Sequence, residues 1–262
     1  MTLEKKPADW KTYDEFAAGI ATNRLPLSAA LVGSSYTVQL PERTLRISFS
    51  ALNRVQFDDA LLGSGDDWCE VIEVAPSTYF VDIAFQRHPL KSLTLVINTQ
   101  SRRVLAVECT VRSAEEAGAE PRVSQQFFAG HLTGRVPSGL QPHPTRDLIG
   151  LRTWQTYSPN HTYEHTYLSS ERYCWQCLVG VQRGHGDVDM ASYYQFAEDQ
   201  YLFTFREFLI PVASVFFFNF ASGRSTGKFL GLTGAGEIAN SPAGAFIHKA
   251  SQTVYAADIA PI

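Results

Sequence analysis

Short apolar runs, broken by Gly, Asn, Asp, Pro and Ser, recur along the chain after about residue 30. Runs rich in Val, Ile, Tyr, Phe and Thr at intervals of about 8–12 residues are typical of a β-sandwich or barrel. The pattern therefore predicts two series of strands. The first lies near 35–40, 44–49, 53–57, 69–74, 78–85, 91–97 and 103–111, and the second near 151–157, 162–168, 172–178, 190–196, 200–208, 212–220 and 226–232.

A single helix is predicted over residues 9–20, before the first strand series. Asp9 can cap its first turn, and Gly19 stands where a helix would stop. The apolar residues between them fall near the 3.6-residue spacing of one helix face: Trp10, Tyr13, Phe16 and Ile20.

The two strand series resemble each other. Residues 71–107 align with 193–229 without a gap, so that Tyr79 meets Tyr201, Pro89 meets Pro211 and Arg102 meets Arg224. We therefore expect an all-β protein of two tandem antiparallel barrels. Closing each sheet would remove its exposed edges, and a barrel of about eight strands can hold one small ligand.

The predicted domain boundaries follow the same pattern. Residues 1–24 form an N-terminal helical segment and 25–112 the first barrel. The stretch 113–146 is rich in Pro and Gly and is interpreted as a linker, although 125–132 could add a strand. Residues 147–262 form the second barrel.

The second half carries a recognisable string, DLIGLRTWQTYSPNHTYEHTYLSSERYCWQCLVGVQRGHGDVDMASYYQFAEDQYLFTFRE, followed by STGKFLG. It resembles the carboxy-terminal domain of the MoaF family over about 147–249. The resemblance implies a fold of two calycin-like, lipocalin-related units with a ligand cavity. The family label also implies an accessory role in molybdopterin cofactor biosynthesis.

Composition narrows the class of protein. The chain has 262 residues, 45% of them hydrophobic and 18% charged, which excludes intrinsic disorder. Its net charge of −4 and the lack of a Lys/Arg block argue against nucleic-acid binding. The longest apolar run, 211–220, is shorter than the ~20 residues of a membrane helix. Four cysteines and a start without an apolar stretch predict a cytoplasmic protein.

Three motifs are present only superficially. Gly223, Ser225 and Gly227 fit the G-x-S-x-G pattern of hydrolases, but a strand-like segment follows where that motif requires a helix. The same stretch lacks the spacing of a phosphate-binding loop. A possible zinc set has its sulfurs on opposite strand faces and its histidines too far apart: His161, His165, Cys174 and Cys177. We predict no metal and no cofactor.

The better signal is polarity within apolar strands. In TYEHTYL, His165 shares one face with Tyr163 and Tyr167, while Glu164 lies on the other. Arg206 and Glu207 interrupt the apolar run of 201–211. Because buried charges need partners or a polar cavity, we predict a pocket inside the second barrel. The candidate catalytic residues are Arg206, Glu164, His165 and Glu207; the candidate substrate-binding residues are Tyr163, Tyr173, Trp175 and Tyr157. The alternatives are charges on the solvated outer face, or a purely structural ion pair.

Such a pocket suits a cofactor-independent lyase, isomerase or cyclase that acts on an aromatic or unsaturated small molecule. Arg206 could hold an anionic group, while Glu164 or His165 moves a proton. A non-catalytic carrier of lipocalin type and an accessory protein of molybdopterin assembly are the rival predictions. We expect a small-molecule substrate, no nucleic acid and no membrane as partners, and association into a homo-oligomer stays open.

Overall fold

The structure is a computed structural model that describes residues 7–262. It contains two short helices, α1 (Tyr13–Ala17) and α2 (Ala114–Ala117), and otherwise consists of antiparallel strands and their connections. Neither helix is long or apolar enough to cross a membrane. The predicted all-β class with two tandem barrels is confirmed.

The first barrel is a closed antiparallel meander in which the last strand pairs with the first. Val38 faces Leu132 across that closing pair. Its strands are β1 (Ser35–Gln39), β2 (Thr44–Ala51), β3 (Arg54–Asp59), β4 (Gly63–Ala75), β5 (Thr78–Ala84), β6 (Lys91–Asn98), β7 (Arg103–Val111) and β8 (Val123–Leu132).

Strand β8 lies within 113–146 and covers 125–132, where the sequence allowed a strand inside the predicted linker. The strand is mostly half-buried and shows no clear alternation, because its outer side meets the second barrel instead of water. Most Pro and Gly residues of this stretch belong to the connections on either side of β8, whereas Gly130 lies in β8 and Pro144 in β9.

The second barrel follows β9 (His143–Pro144), a two-residue strand that pairs with Tyr194 and Gln195, beyond the part of the barrel strand Gly186–Ala197 that closes the sheet. Strands β10 to β17 run antiparallel, and the pairings β10–β17 and β12–β13 complete the closed sheet. The strands are β10 (Leu151–Ser158), β11 (His161–Tyr167), β12 (Arg172–Val179), β13 (Gly186–Ala197), β14 (Gln200–Arg206), β15 (Val212–Asn219), β16 (Arg224–Leu232) and β17 (Ile238–Gln252).

Strand β17 has no counterpart among the predicted strands. It contains Pro242, Gly244 and several small residues, which are depleted in ordinary strands and hide the apolar alternation. Gly244 is required there, because a Cβ atom would lie 2.5 Å from the Cα of Arg24. The chain segment before the first barrel thus crosses directly over this strand.

The internal repeat is present in strands β4–β5 and β13–β14. Tyr79 and Tyr201 lie at equivalent inward positions, an offset of 122 residues. Both hairpins have a register shift at the same place, before Ala75 and before Ala197. Their tips also match, since Ser77 and Asp199 have positive φ angles of 56° and 55°.

The repeat is not free of gaps, and this corrects the sequence alignment. Strand β6, Lys91–Asn98, corresponds to β15, Val212–Asn219, at an offset of 121 residues. The same offset relates β7 to β16, so Arg224 corresponds to Arg103 and not to Arg102. The connection before β15 is one residue shorter. Because side chains alternate with a period of two, the ungapped alignment would place inward residues of these strands on the outer face.

Helix α1 is shorter than the predicted helix 9–20. Thr12 is its N-cap, and the backbone N–H of Thr12 donates to Glu15 Oε2 at 2.7 Å. Asp9 does not cap it, because its carboxylate contacts His185 instead. The four apolar residues predicted to share a helix face do pack together, against the interior of the second barrel: Trp10, Tyr13, Phe16 and Ile20.

Three apolar cores result from this arrangement. Each barrel has an interior core, and a third core joins the outer faces of β4–β8 to those of β13–β16. Phe80, Phe196 and Phe217 are fully buried in this third core. The two barrels are therefore held together over a continuous apolar interface.

Candidate functional site

The interior of the second barrel is polar and aromatic. Strand β11 turns Tyr163, His165 and Tyr167 inward, as the alternation in TYEHTYL predicts, and β12 turns Tyr173 and Trp175 inward. The corresponding strands of the first barrel place mainly aliphatic and Phe side chains inside, and Asp59, paired with Arg43, is buried at the end of β3. The apolar ones are Leu45, Ile47, Phe49, Val55 and Phe57.

A narrow cavity lies within this interior. Its empty volume is about 390 Å³, but the centre of a water molecule could occupy only about 30 Å³ of it. The lining residues are Phe16, Ile20, Tyr157, Tyr163, His165, Tyr173, Trp175, Gln182, Phe205, Glu207 and Phe229. All four predicted substrate-binding residues and two of the predicted catalytic residues, His165 and Glu207, therefore line one cavity.

His165 lies among aromatic rings in the cavity wall. Its ring centroid is 5.3 Å from that of Tyr173 and 5.7 Å from that of Phe203. Its Nδ1 atom is buried and has no hydrogen-bond partner within residues 7–262. Burial lowers the pKa of His165 to about 3. The imidazole is therefore neutral at physiological pH and can donate or accept a hydrogen bond without carrying charge.

Two carboxyl groups lie at the same end of the barrel. Glu207 directly follows β14 and lines the cavity, at the position that Phe85 occupies in the first barrel. Asp189 is buried on the neighbouring strand, where it accepts a hydrogen bond from Trp175 Nε1 at 3.0 Å. Burial, followed by the charge of Asp187, raises the pKa of Asp189 to about 7.

Sequence reasoning missed Asp189 and Gln182. Asp189 lies two residues before Ala191 and four before Tyr193, which both face inward. The alternation of β13 therefore contained the signal that Asp189 faces inward as well. Gln182 left no such signal, because it lies in the turn between β12 and β13. Its Oε1 accepts a hydrogen bond from the Tyr163 hydroxyl at 2.8 Å.

The tyrosines of the wall remain neutral phenols. Burial raises the pKa of Tyr157, Tyr163 and Tyr173 well above the ordinary value of 10. A neutral phenol can donate a hydrogen bond to a carbonyl or a developing oxyanion. The cavity thus combines uncharged hydrogen-bond donors with a carboxyl group.

The segment around α1 covers this end of the barrel. Phe16 packs edge-on against Phe229 at 5.5 Å, and Trp10 packs edge-on against Trp175 at 5.8 Å between ring centroids. The Tyr13 hydroxyl donates to the carbonyl oxygen of Phe229 at 2.9 Å. A ligand that reaches the cavity from this end must therefore displace part of the segment.

Arg206 does not line the cavity, contrary to the sequence-based expectation. It alternates with Glu207, so its side chain leaves the barrel on the opposite face. Its guanidinium donates to Gln125 Oε1 at 2.9 Å, to Ser192 Oγ at 3.2 Å and to the Ala191 carbonyl at 3.2 Å. Arg206 consequently lies between the two barrels and cannot contact a ligand beside His165.

Glu164 also points away from the cavity, because it neighbours His165 on an alternating strand. It forms an ion pair with Arg152 on the outer face and accepts a hydrogen bond from Gln176 Nε2 at 2.6 Å. This arrangement matches the structural alternative considered from the sequence. Of Glu164 and His165, the two neighbouring side chains predicted to move a proton, only His165 therefore lines the cavity.

The other motifs have structural positions. Ser225 is buried within β16, where its Oγ accepts a hydrogen bond from the Ala245 backbone N–H at 3.1 Å. Cys177 is buried inside the barrel, whereas Cys174 is partly exposed on the outer side. Across residues 7–262, no group of three or more His, Cys, Asp or Glu side chains is arranged to hold a metal ion.

Two single substitutions should give opposite pH dependences of stability. In the folded protein the pKa of His165 falls from 6.5 to about 3, and that of Asp189 rises from 3.8 to about 7. Between about pH 4 and 6.5 the unfolded chain protonates His165 but not Asp189, and the folded chain does the reverse.

Relative to wild type, Asp189→Asn retains only the His165 effect, so its free energy of unfolding should fall as the pH drops below 6.5. His165→Leu retains only the Asp189 effect, so its free energy of unfolding should fall as the pH rises towards 7. Urea denaturation across this range measures both. Profiles parallel to that of wild type would show that neither side chain has a shifted pKa.

The fold and this site define a tandem β-barrel protein with a polar cavity in its second barrel. The chain belongs to the MoaF family: the MoaF N-terminal domain matches residues 8–113 and the MoaF C-terminal domain matches 142–253. It is similar to Protein MoaF of Klebsiella aerogenes, with 36% identity over 182 residues, which cover 65% of this chain and 69% of that protein.

Among solved structures, the chain is also similar to a putative beta-lactamase from Burkholderia vietnamiensis. It shares 15% sequence identity with a TM-score of 0.33, over 39% of this chain and 95% of that chain. A likeness at this level supports no conclusion about fold or activity.

Proposed function

We propose that the second barrel binds a small aromatic or unsaturated molecule and catalyses a proton transfer of the lyase, isomerase or cyclase type. Glu207 accepts and returns the proton, while neutral His165 and Tyr173 hold the carbonyl or developing oxyanion of the substrate. Tyr157, Tyr163 and Trp175 form the aromatic wall that positions it.

The contrast between the two barrels carries this proposal. Both have the same strand order, yet the core of the first is mainly aliphatic and Phe, with Phe85 at the position of Glu207. Its strands also bury Asp59 and Asp67, and Asp59 is paired with Arg43. The second buries His165 with an unsatisfied nitrogen in a cavity wall. Leaving a buried nitrogen without a hydrogen bond costs free energy, and this supports a chemical use of the site.

The side chains of the cavity suit an acid–base reaction. A neutral imidazole can polarise a carbonyl group, and phenol hydroxyls can stabilise an oxyanion. In an isomerisation, Glu207 would take a proton from the carbon between a carbonyl and a double bond and return it to the far end of that bond. The electrons stay within the substrate, so the reaction needs no oxidant or reductant.

The charge of the cavity favours a neutral ligand. Its described lining residues include Glu207 but no Arg or Lys. A highly anionic pterin phosphate would need cations there, so this lining disfavours the rival role in molybdopterin assembly. The small open volume also implies that Phe16 and Ile20, at the α1 end, move when a ligand enters.

The test uses a β,γ-unsaturated cyclohexenone as the probe, because its conjugated isomer absorbs in the near ultraviolet. Wild type should accelerate the isomerisation. Glu207→Gln should slow it by about 10²–10⁴-fold, the usual contribution of a general acid–base group. His165→Leu should slow it by about 10²–10³-fold through loss of one hydrogen-bond donor to the oxyanion.

Glu164→Gln is the matched control, since it makes the same chemical change beside His165 but on the outer face. It should leave the rate unchanged. A melting curve for each variant separates lost chemistry from lost folding. Saturable binding of the probe without isomerisation would overturn the catalytic proposal in favour of a carrier, and equal losses in Glu164→Gln and Glu207→Gln would contradict the assignment of the site.

A further inference from the structure

A second recess lies between the two barrels, and we call it the inter-barrel crevice. Its empty space is about 590 Å³, including the part that opens to solvent. The crevice is thus roomier than the cavity inside the second barrel.

Both barrels contribute to the crevice. Its lining residues are Arg112, Glu120, Pro121, Val123, Ser124, Gln125 and Phe127 from the side of the first barrel, and Met190, Ser192 and Arg206 from the second. Two guanidinium groups and two hydroxyl groups therefore line a recess that also contains Glu120, Gln125 and four apolar side chains.

Arg206 brings a positive charge into this crevice and forms no ion pair with any described residue. Its three hydrogen bonds within the protein go to neutral acceptors on Gln125, Ser192 and Ala191. A guanidinium has five N–H groups, so two donors remain for a ligand. Among residues 7–262, no carboxylate lies within 4 Å of the Arg206 guanidinium.

Arg112 is similarly placed on the other side. Its Nη2 donates to the Pro121 carbonyl at 2.6 Å, while its Nε is buried and has no hydrogen-bond partner in the described part of the chain. Glu120 is the acidic side chain of the crevice; it is exposed and forms no ion pair with either arginine in the described structure. The crevice therefore keeps a local excess of positive charge although the whole chain carries −4.

We propose that the inter-barrel crevice binds a small organic oxyanion, with its carboxylate or phosphate between Arg112 and Arg206 and its apolar part against Met190 and Phe127. Guanidinium groups match the planar, two-pronged geometry of such oxyanions. The site is separate from the cavity that holds His165, and it does not depend on the function proposed for that cavity.

The test titrates the full chain with benzoate, inorganic phosphate and benzyl alcohol by isothermal calorimetry. Benzoate or phosphate should bind saturably, and benzyl alcohol, which has the ring without the charge, should not. Arg112→Gln and Arg206→Lys should each weaken anion binding by about 10-fold or more, the effect of losing one charge-assisted contact. Glu120→Gln should strengthen it.

Arg135→Gln is the matched control, because it removes an exposed arginine outside the crevice with the same change in net charge. It should leave binding unchanged, and melting curves identify any variant that fails to fold. Binding of phosphate alone would assign a phosphate site, and binding of benzoate alone would assign a carboxylate site. The proposal is overturned if neither anion binds, if benzyl alcohol binds as well as benzoate, or if folded Arg112→Gln binds like wild type.

Discussion

Replacing Lys228 with alanine should lower the free energy of unfolding by about 3–5 kcal/mol, the usual cost of leaving a buried charge without its partner. Lys228 of the second barrel forms an ion pair with Asp82 of the first, and each residue is only 1% exposed. Lys228 also donates to Ser92 Oγ at 2.7 Å. Asp82 keeps hydrogen bonds from Thr94 and Asn240, but its charge would have no cation in contact.

Urea denaturation measures this effect. Lys249→Ala is the control, because its pair with Asp199 spans 3.6 Å and both side chains are about half exposed. Such exposed pairs contribute only about 0–1 kcal/mol. The double variant Asp82→Asn with Lys228→Met should recover much of the loss, since it removes both charges. A single variant as stable as wild type would show that the pair does not stabilise the contact between the barrels.

Replacing Phe203 with alanine should lower the free energy of unfolding by about 3–5 kcal/mol, as for other large side chains removed from a core. Phe203 is fully buried at the centre of the second barrel. Its ring lies 5.0 Å from that of Tyr173 and 5.3 Å from those of Tyr167 and Phe218. No neighbouring strand can move inward without breaking the closed sheet, so the lost volume would remain largely as a cavity.

The control is Phe208→Ala, five residues along the chain, where the side chain is 37% exposed and lies under the Arg172 guanidinium. Its loss should cost far less than that of Phe203. Chemical denaturation of both variants gives the comparison. Equal losses would indicate that the interior of the barrel is loosely packed, which would also weaken the geometric basis of the proposed site.

The alternation of side chains could be predicted from the sequence where a strand is regular. TYEHTYL separates Tyr163 and His165 from Glu164, and the structure confirms this separation. The same rule separates Arg206 from Glu207. It does not say which of these two side chains points into the barrel. Apolar residues lie both inside the barrel and in the contact between the barrels, so either side chain would have apolar neighbours.

The sequence offered strand β8 only as an option and missed strand β17, for a related reason. The outer face of β8 packs against the second barrel instead of water. Strand β17 is built largely from small residues and contains a Pro. Neither strand therefore shows the apolar–polar alternation of a strand beside water. The repeat was visible, but the one-residue shortening before β15 was not. A gap in a loop leaves no trace in a short apolar run, although it reverses the face of every residue that follows.

The sequence by itself determined the β class, the tandem repeat and the aromatic wall of the cavity, because these depend on local periodicity and residue type. Only the tertiary structure decided that Glu207 faces His165's cavity while Arg206 lies between the barrels. It also brought Asp189 beside Trp175 and placed α1 over the cavity. These features arise from the closure of the sheets and the packing of one barrel on the other, which join residues far apart in the chain and leave no local pattern.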